Sequence, residues 1–341
     1  MIPRERVLEA LKRKEVDRVP YVETDIGFDI GCRLLDREVH PVAIPQMGLS
    51  IRNVKDDKGL SRMLHRNNIS FRFTAPTFDK KKIGDEGQTY SEDGLIKNMD
   101  DFRNKFVLPD PEDDSLYEPI RPYIEEREEF PVICSTRLGY LSAVISIGFQ
   151  TYMESIYTNE ELIDAVTGAY VDWSAKMLRR VCDMGIDAVE TTDDFAFNSG
   201  PFMSPESFRR WVVPYHKRAY KEISVPWILH SDGNILPIVE DLLGMGINGI
   251  NPIDPNCMDI RDFKQRYGHR VCILGNVDIR TLSMGTPEET YIEVRDLIRD
   301  LAPSYGYALS SANSIPDYVK PDNMLALARA IDDFGKYETV G

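Results

Sequence analysis

No stretch of this chain approaches the roughly 18 consecutive apolar residues that a membrane-spanning helix needs, and the opening MIPRERVLEALKRKEVDR has no apolar signal core. Cysteine is scarce. The five thiols are an odd number without a CxxC pair, which excludes a secreted disulfide framework. Cys134 and Cys272 lie in apolar, strand-like runs and read as small buried hydrophobes. No GxGxxG opens a helix after a strand, so a dinucleotide-binding open sheet has no support. Basic residues are outnumbered: 41 Lys and Arg against 56 Asp and Glu give a net charge of −15, which repels a phosphate backbone or an anionic membrane at long range. These absences point to a protein of the reducing cytoplasm that works on small molecules or a complementary protein, with neither nucleic acid nor membrane as its partner.

What is present is ordinary globular material, 42% hydrophobic and 28% charged, with no low-complexity tract. The second half alternates. Apolar runs rich in β-branched residues and ending in polar clusters recur at 185–194, 225–234, 246–254, 270–278 and 305–314. Between them lie helical patterns with start signals. Thr286, Pro287 and Glu289 make a cap, a first-turn proline and a capping box, followed by the apolar stripe Val294, Ile298 and Leu301. Ser204, Pro205 and Glu206 open another helix, which Pro214 should kink. With 130–140, 19–24 and the weaker 69–76, the strands number eight. This rhythm predicts an α/β fold, a (β/α)₈ TIM barrel occupying 1–341 as one domain, with the doubly wound sheet as competitor. The polar, turn-rich region 41–122 reads as an inserted or capping segment, with a hairpin in KKKIGDEGQTYSEDG.

In a parallel barrel the catalytic groups project from the C-terminal strand ends. Those ends carry Glu23 and Asp25, Arg137 and Tyr140, Glu190, Asp193 and Asp194, His230 and Asp232, Asn251 and Asp254, Asn276 and Asp278, and Asn313. A rim of acids and amides suits a metal ion or a cationic substrate better than a polyanion. His230 and Asp232, two apart in HSDGN, can face the same side of the mouth, and imidazole and carboxylate are ordinary ligands of a divalent metal. The plainer reading makes His230 structural and Asp232 a helix cap. The clustered carboxylates Glu190, Asp193 and Asp194 are expected to bind a cation or to supply an acid or base; capping and loop solvation are the alternative, favoured for Asp193 or Asp194 taken singly. Arg137 would clamp a carboxylate or phosphate, or form a structural ion pair. His216 falls inside a helix and is not expected to be catalytic.

The segments RERVLEALKRKEVDRVP, NSGPFMSPESFRRWVVPYHKR, LHSDGN, GINGINPIDP, LGNVD with GTPEE, and ALSSANSIPDYVKPDNMLALARAI together resemble the uroporphyrinogen decarboxylase superfamily over nearly the whole chain. That resemblance implies a (β/α)₈ barrel. The decarboxylases carry an arginine-bearing MRQAGRYLPEY-like loop after the first strand; YVETDIGFDIG stands here, and Glu23 and Asp25 would repel a tetrapyrrole with many carboxylates. In the thiol-methylating branch, zinc is held by HxCG and a second cysteine near the last strand. His230 keeps the histidine position, Asp232 takes the first cysteine position and Asn313 the second. The resemblance implies metal-assisted methyl transfer between a small methylated substrate and a corrinoid protein, with His230 and Asp232 on a divalent metal, zinc first among candidates. Glu190, Asp194, Tyr140 and Arg137 would be catalytic, and Glu23, Asp25, Asn276 and Asn313 would bind substrate. A cofactor-free decarboxylase and a non-catalytic ligand-binding barrel are the alternatives, and a homodimer is left open.

Overall fold

The computed structural model describes residues 1–84 and 89–337. Seven strands form one parallel sheet: β1 (Ile69–Arg72), β2 (Val132–Thr136), β3 (Ala188–Thr192), β4 (Trp227–His230), β5 (Gly249–Asn251), β6 (Cys272–Leu274) and β7 (Tyr307–Ala308). Their spatial order is their chain order, without a reversal. A doubly wound sheet reverses at a switch point, so the sheet winds one way, as a barrel does. The helices Glu160–Met184 and Pro287–Leu301 lie between consecutive strands, as parallel crossovers require.

Both edges of this curled sheet meet residues 19–24. On one side the Leu309 N–H donates to the Pro20 carbonyl (2.8 Å) and the Val22 N–H to the Leu309 carbonyl (2.9 Å). On the other side asparagine side chains stand in for a strand. Asn68 Oδ1 accepts from the Glu23 N–H and its Nδ2 donates to the Glu23 carbonyl, while Asn67 Oδ1 accepts from the Tyr21 N–H. The 19–24 segment therefore closes the gap between β1 and β7, although it is not itself a regular strand.

The region 41–122 is not one insertion. It contains β1 and the helix Val54–Met63, both integral to the sheet and its packing. The expected hairpin is present as Asp79–Ile83 paired antiparallel with Thr89–Gly94; residues 85–88 of its turn lie outside the described residues. It packs on the helix Tyr140–Ile147, where the Phe78 N–H donates to Ser146 Oγ and the Ile96 N–H to the Ser146 carbonyl. Among the described residues of 41–122, Arg72 alone lines the central cavity.

The start signals act as read. The Thr286 hydroxyl accepts from the Glu289 N–H while the Glu289 carboxylate accepts from the Thr286 N–H, and Val294, Ile298 and Leu301 are buried. Ser204 caps Pro205–Trp211, and Pro214, which has no N–H to continue the ladder, separates it from Val213–Tyr220.

Inside the sheet, Val22, Ile133, Ala188, Ile228, Cys272, Leu274 and Ala308 form a small apolar cluster that the helix Pro3–Leu11 plugs with Val7 and Leu11. Gly249 has no side chain for a packing reason: a Cβ there would lie 2.8 Å from Leu274 and 3.0 Å from Leu11.

Candidate active site

Side chains on a strand alternate sides, so a step of two keeps the interior face. That step turns the apolar floor polar: Ile133 gives way to Ser135, Ala188 to Glu190, Ile228 to His230 and Gly249 to Asn251. One step further come Arg137, Thr192 and Asp232. These residues, with Glu23, Thr24, Asp25, Arg72, Asp194 and Asn313, line a cavity of about 150 Å³ at the C-terminal strand ends.

His230 is held from behind. Its Nδ1 lies 2.8 Å from Asn251 Oδ1. The Asn251 amide nitrogen points to the carbonyls of Leu274 and Ser311 and to Ser310 Oγ, which fixes the oxygen toward the imidazole. Nδ1 therefore carries a proton, and Nε2 faces Asp232 Oδ1 at 3.7 Å. Asp232 Oδ2 accepts from Asn313 Nδ2 at 2.6 Å, and the Asp232 N–H donates to Asp194 Oδ1 at 3.0 Å. Gly233 follows in the left-handed region at φ +81°, its N–H on Asp254 Oδ2; a Cβ there would meet the Ala196 carbonyl at 2.4 Å. Asp232 is thus a wall of the cavity rather than a helix cap.

Asp194, His230 and Asp232 each offer one ligand atom within 4.8 Å of the other two. The set of one imidazole nitrogen and two carboxylates fits a divalent cation, and the amide of Asn251 supplies the outer contact that ligating histidines need. Burial alone would lower the His230 pKa, but the carboxylates of Asp232, Glu190 and Asp194 outweigh it and raise it. Burial raises Asp232 to about 6 against the attraction of His230.

Two further carboxyls lie deeper. Burial raises Glu23 to about 8, although Ser311 donates to it through both its hydroxyl (2.7 Å) and its N–H (3.1 Å). Glu190 is buried beside it and also raised, by burial first; its Oε2 accepts from Thr24 Oγ1 at 2.5 Å. Burial lowers the Arg137 pKa to about 10, and the neighbouring Arg72 charge adds to that.

The cavity gathers eight of the ten expected residues: Glu23, Asp25, Arg137, Glu190, Asp194, His230, Asp232 and Asn313. Two stand elsewhere. Tyr140 is buried among Tyr152, Phe195 and His216, and is a core aromatic. Asn276 is buried behind the wall, its amide donating to the Ile253 carbonyl. Asp193 is structural, its oxygens accepting from the N–H groups of Leu138 and Leu141. His216 is fully buried, and among the described residues neither ring nitrogen has a hydrogen-bond partner. Sequence reasoning missed Arg72. Its signal was the alternation in Ile69-Ser70-Phe71-Arg72, which puts Ser70 and Arg72 on one face.

A one-way parallel sheet with acids, amides and a histidine converging at its C-terminal ends defines a barrel-type enzyme site. The family model "Uroporphyrinogen decarboxylase (URO-D)" matches residues 83–334, and the chain belongs to that family. It is 25% identical over 305 residues to the methylcobamide:CoM methyltransferase MtbA of Methanosarcina acetivorans, covering 84% of this chain and 86% of that one. It is 24% identical over 252 residues to the uroporphyrinogen decarboxylase of Shewanella loihica, 68% of each chain. A solved methyltransferase from Methanosarcina mazei superposes with a TM-score of 0.76 over 98% of this chain and 99% of that one; at 18% identity this likeness speaks to the fold.

Proposed function

We propose that the protein is a metal-assisted methyltransferase that moves a methyl group between a small methylated substrate and a corrinoid carried by a partner protein in the cytoplasm. The observation that carries this reading is the convergence of Asp194, His230 and Asp232 at the mouth, in a chain with a methylcobamide:CoM methyltransferase among its relatives. These three would hold a divalent ion, zinc by the nitrogen and oxygen donor set, and the ion when bound supplies Lewis-acid polarisation of the atom that bears the methyl group.

The chain's own residues do the rest. Asn251 keeps His230 Nδ1 protonated and leaves Nε2 free toward the cavity. Asn313 holds Asp232 in place. Glu23 carries a proton at neutral pH and stands, with Glu190, at the base of the cavity. A protonated carboxyl there can give its proton to the group from which the methyl departs. Neither the cysteine of HxCG nor the second cysteine near the last strand is present, Asp232 and Asn313 standing there instead, which suits an oxygen or nitrogen leaving group better than thiol chemistry.

The test combines metal analysis with a transfer assay. After loading with zinc, manganese or iron, the parent should retain about one ion per chain, and H230A and D232A should retain far less. With reduced cobalamin as acceptor and a panel of methyl ethers and methylamines as donors, the parent should form methylcobalamin. A protein that binds none of these metals, or that converts uroporphyrinogen to coproporphyrinogen instead, overturns the reading.

A further inference from the structure

The chain holds more acids than bases, yet two arginines on the cavity wall have no acid. Arg72 ends β1, opposite Ser135 of β2, and Arg137 lies two residues further along the same chain as Ser135. Both line the cavity. Guanidiniums elsewhere in the protein have oxygen partners: buried Arg66 pairs with Asp57 at 2.5 Å, half-buried Arg127 with Asp187 at 2.9 Å, and buried Arg52, though its Nε is unpartnered, donates to the Ile26 and Gly27 carbonyls. Among the described residues, Arg72 and Arg137 have no carboxylate within salt-bridge reach, and Arg137 Nε is buried without any hydrogen-bond partner.

The nearby acids are engaged elsewhere. Both Asp193 oxygens accept from the backbone of the loop that follows Arg137, at Leu138 and Leu141, and Asp194 Oδ1 accepts from the Asp232 N–H. Asp193 thereby fixes the loop beside Arg137 without neutralising its side chain. A buried guanidinium left without a partner is costly. Arg137, with half-buried Arg72 beside it on the same cavity, is stabilised when an anion enters.

We propose that Arg72 and Arg137 form a clamp for a carboxylate, and that the substrate is a small methylated carboxylic acid lying across the cavity. Its anionic end meets β1 and β2, and its methyl-bearing atom meets Asp194, His230 and Asp232 at the ends of the neighbouring β3 and β4. The planar fork of arginine matches a carboxylate. A dianionic phosphate would face stronger repulsion from Asp25, Asp194 and Asp232. The clamp itself stands on the arginines; the placing of the methyl-bearing end rests on the methyl-transfer reading.

The experiment measures binding, apart from turnover. Methoxyacetate and its neutral analogue methoxyacetamide are titrated into the parent, R72Q and R137Q by calorimetry. The parent should prefer the acid by about tenfold or more, and each variant should lose that preference. Equal binding of acid and amide by the parent, or an undiminished preference in both variants, overturns the clamp. A second measurement covers misfolding: R137M, with its unpaired cation removed, should melt no lower than the ligand-free parent, whereas an arginine kept for structure would make it melt lower. Inorganic phosphate and methanesulfonate are run alongside, and tighter binding of either overturns the carboxylate assignment. H230A should keep the acid preference. If transfer to cobalamin fails while the preference holds, the methyl-transfer reading falls and the clamp stands.

Discussion

Because the Asn251 amide nitrogen is taken up by Leu274, Ser310 and Ser311, its oxygen faces His230, and replacing it removes what orients the imidazole. N251A should lower the affinity for a bound divalent metal by about 10–100-fold, read by competition with a chelator, with little change in far-UV circular dichroism. Glu23 gives a pH-dependent effect. Its native pKa, about 8, lies above its ordinary value of 4.5. The folded chain therefore keeps a proton that the unfolded chain releases, so this contribution to stability is full below pH 4.5 and is lost as pH rises toward 8. Glutamine cannot ionise and can still accept from Ser311. E23Q should therefore gain stability relative to the parent as pH rises, by about 3–4 kcal/mol between pH 5 and pH 8, measured by urea unfolding at those two values.

At the scale of elements, 19–24 is joined to the start of β1 by the side chains of Asn67, Asn68 and Ser70, with a backbone bond from the Asn67 N–H to the Tyr21 carbonyl (2.7 Å), rather than by a continuous ladder. N68A leaves the buried Glu23 N–H and carbonyl without these partners. The expected cost is about 1–3 kcal/mol, with faster hydrogen exchange at Glu23 and Tyr21 and little change within β3 and β4. This closure also marks where the sequence stopped being legible. Strands β2 to β7 are short β-branched or apolar runs between capped helices, and periodicity finds them. The role of Asn67 and Asn68 depends on contacts across some 45 positions, which no local pattern carries. Legibility of the site divides in the same way. His230, Asp232, Glu190 and Asp194 were readable because strand ends point into the mouth. Tyr140 follows such an end as well, but it begins a helix, and its ring turns into the core. Arg72 went unread because 69–76 gave the weakest strand signal, and its end was not counted among the strand ends that carry the site.

For the whole molecule, the floor of the barrel decides how the site is reached. Val7 and Leu11 from the N-terminal helix pack into the apolar cluster beneath the polar residues, and Leu11 is 2% exposed. L11A opens a void between Gly249, Leu274 and Ile228 and should cost about 2–5 kcal/mol, seen as a lower urea midpoint with an unchanged slope. The cavity above should keep its binding, since none of its lining residues belongs to the apolar cluster that holds the plug.

A plugged floor makes the interior a blind-ended well. Whatever sits across the rim holds in whatever lies below it. A carrier protein docked over the mouth would trap the small molecule, so the small substrate has to load first and its demethylated product has to leave last. The order of events would then be imposed by a hydrophobic stopper on the far side of the barrel from the chemistry. Its kinetic signature is that the demethylated product competes with the methylated substrate and not with the carrier.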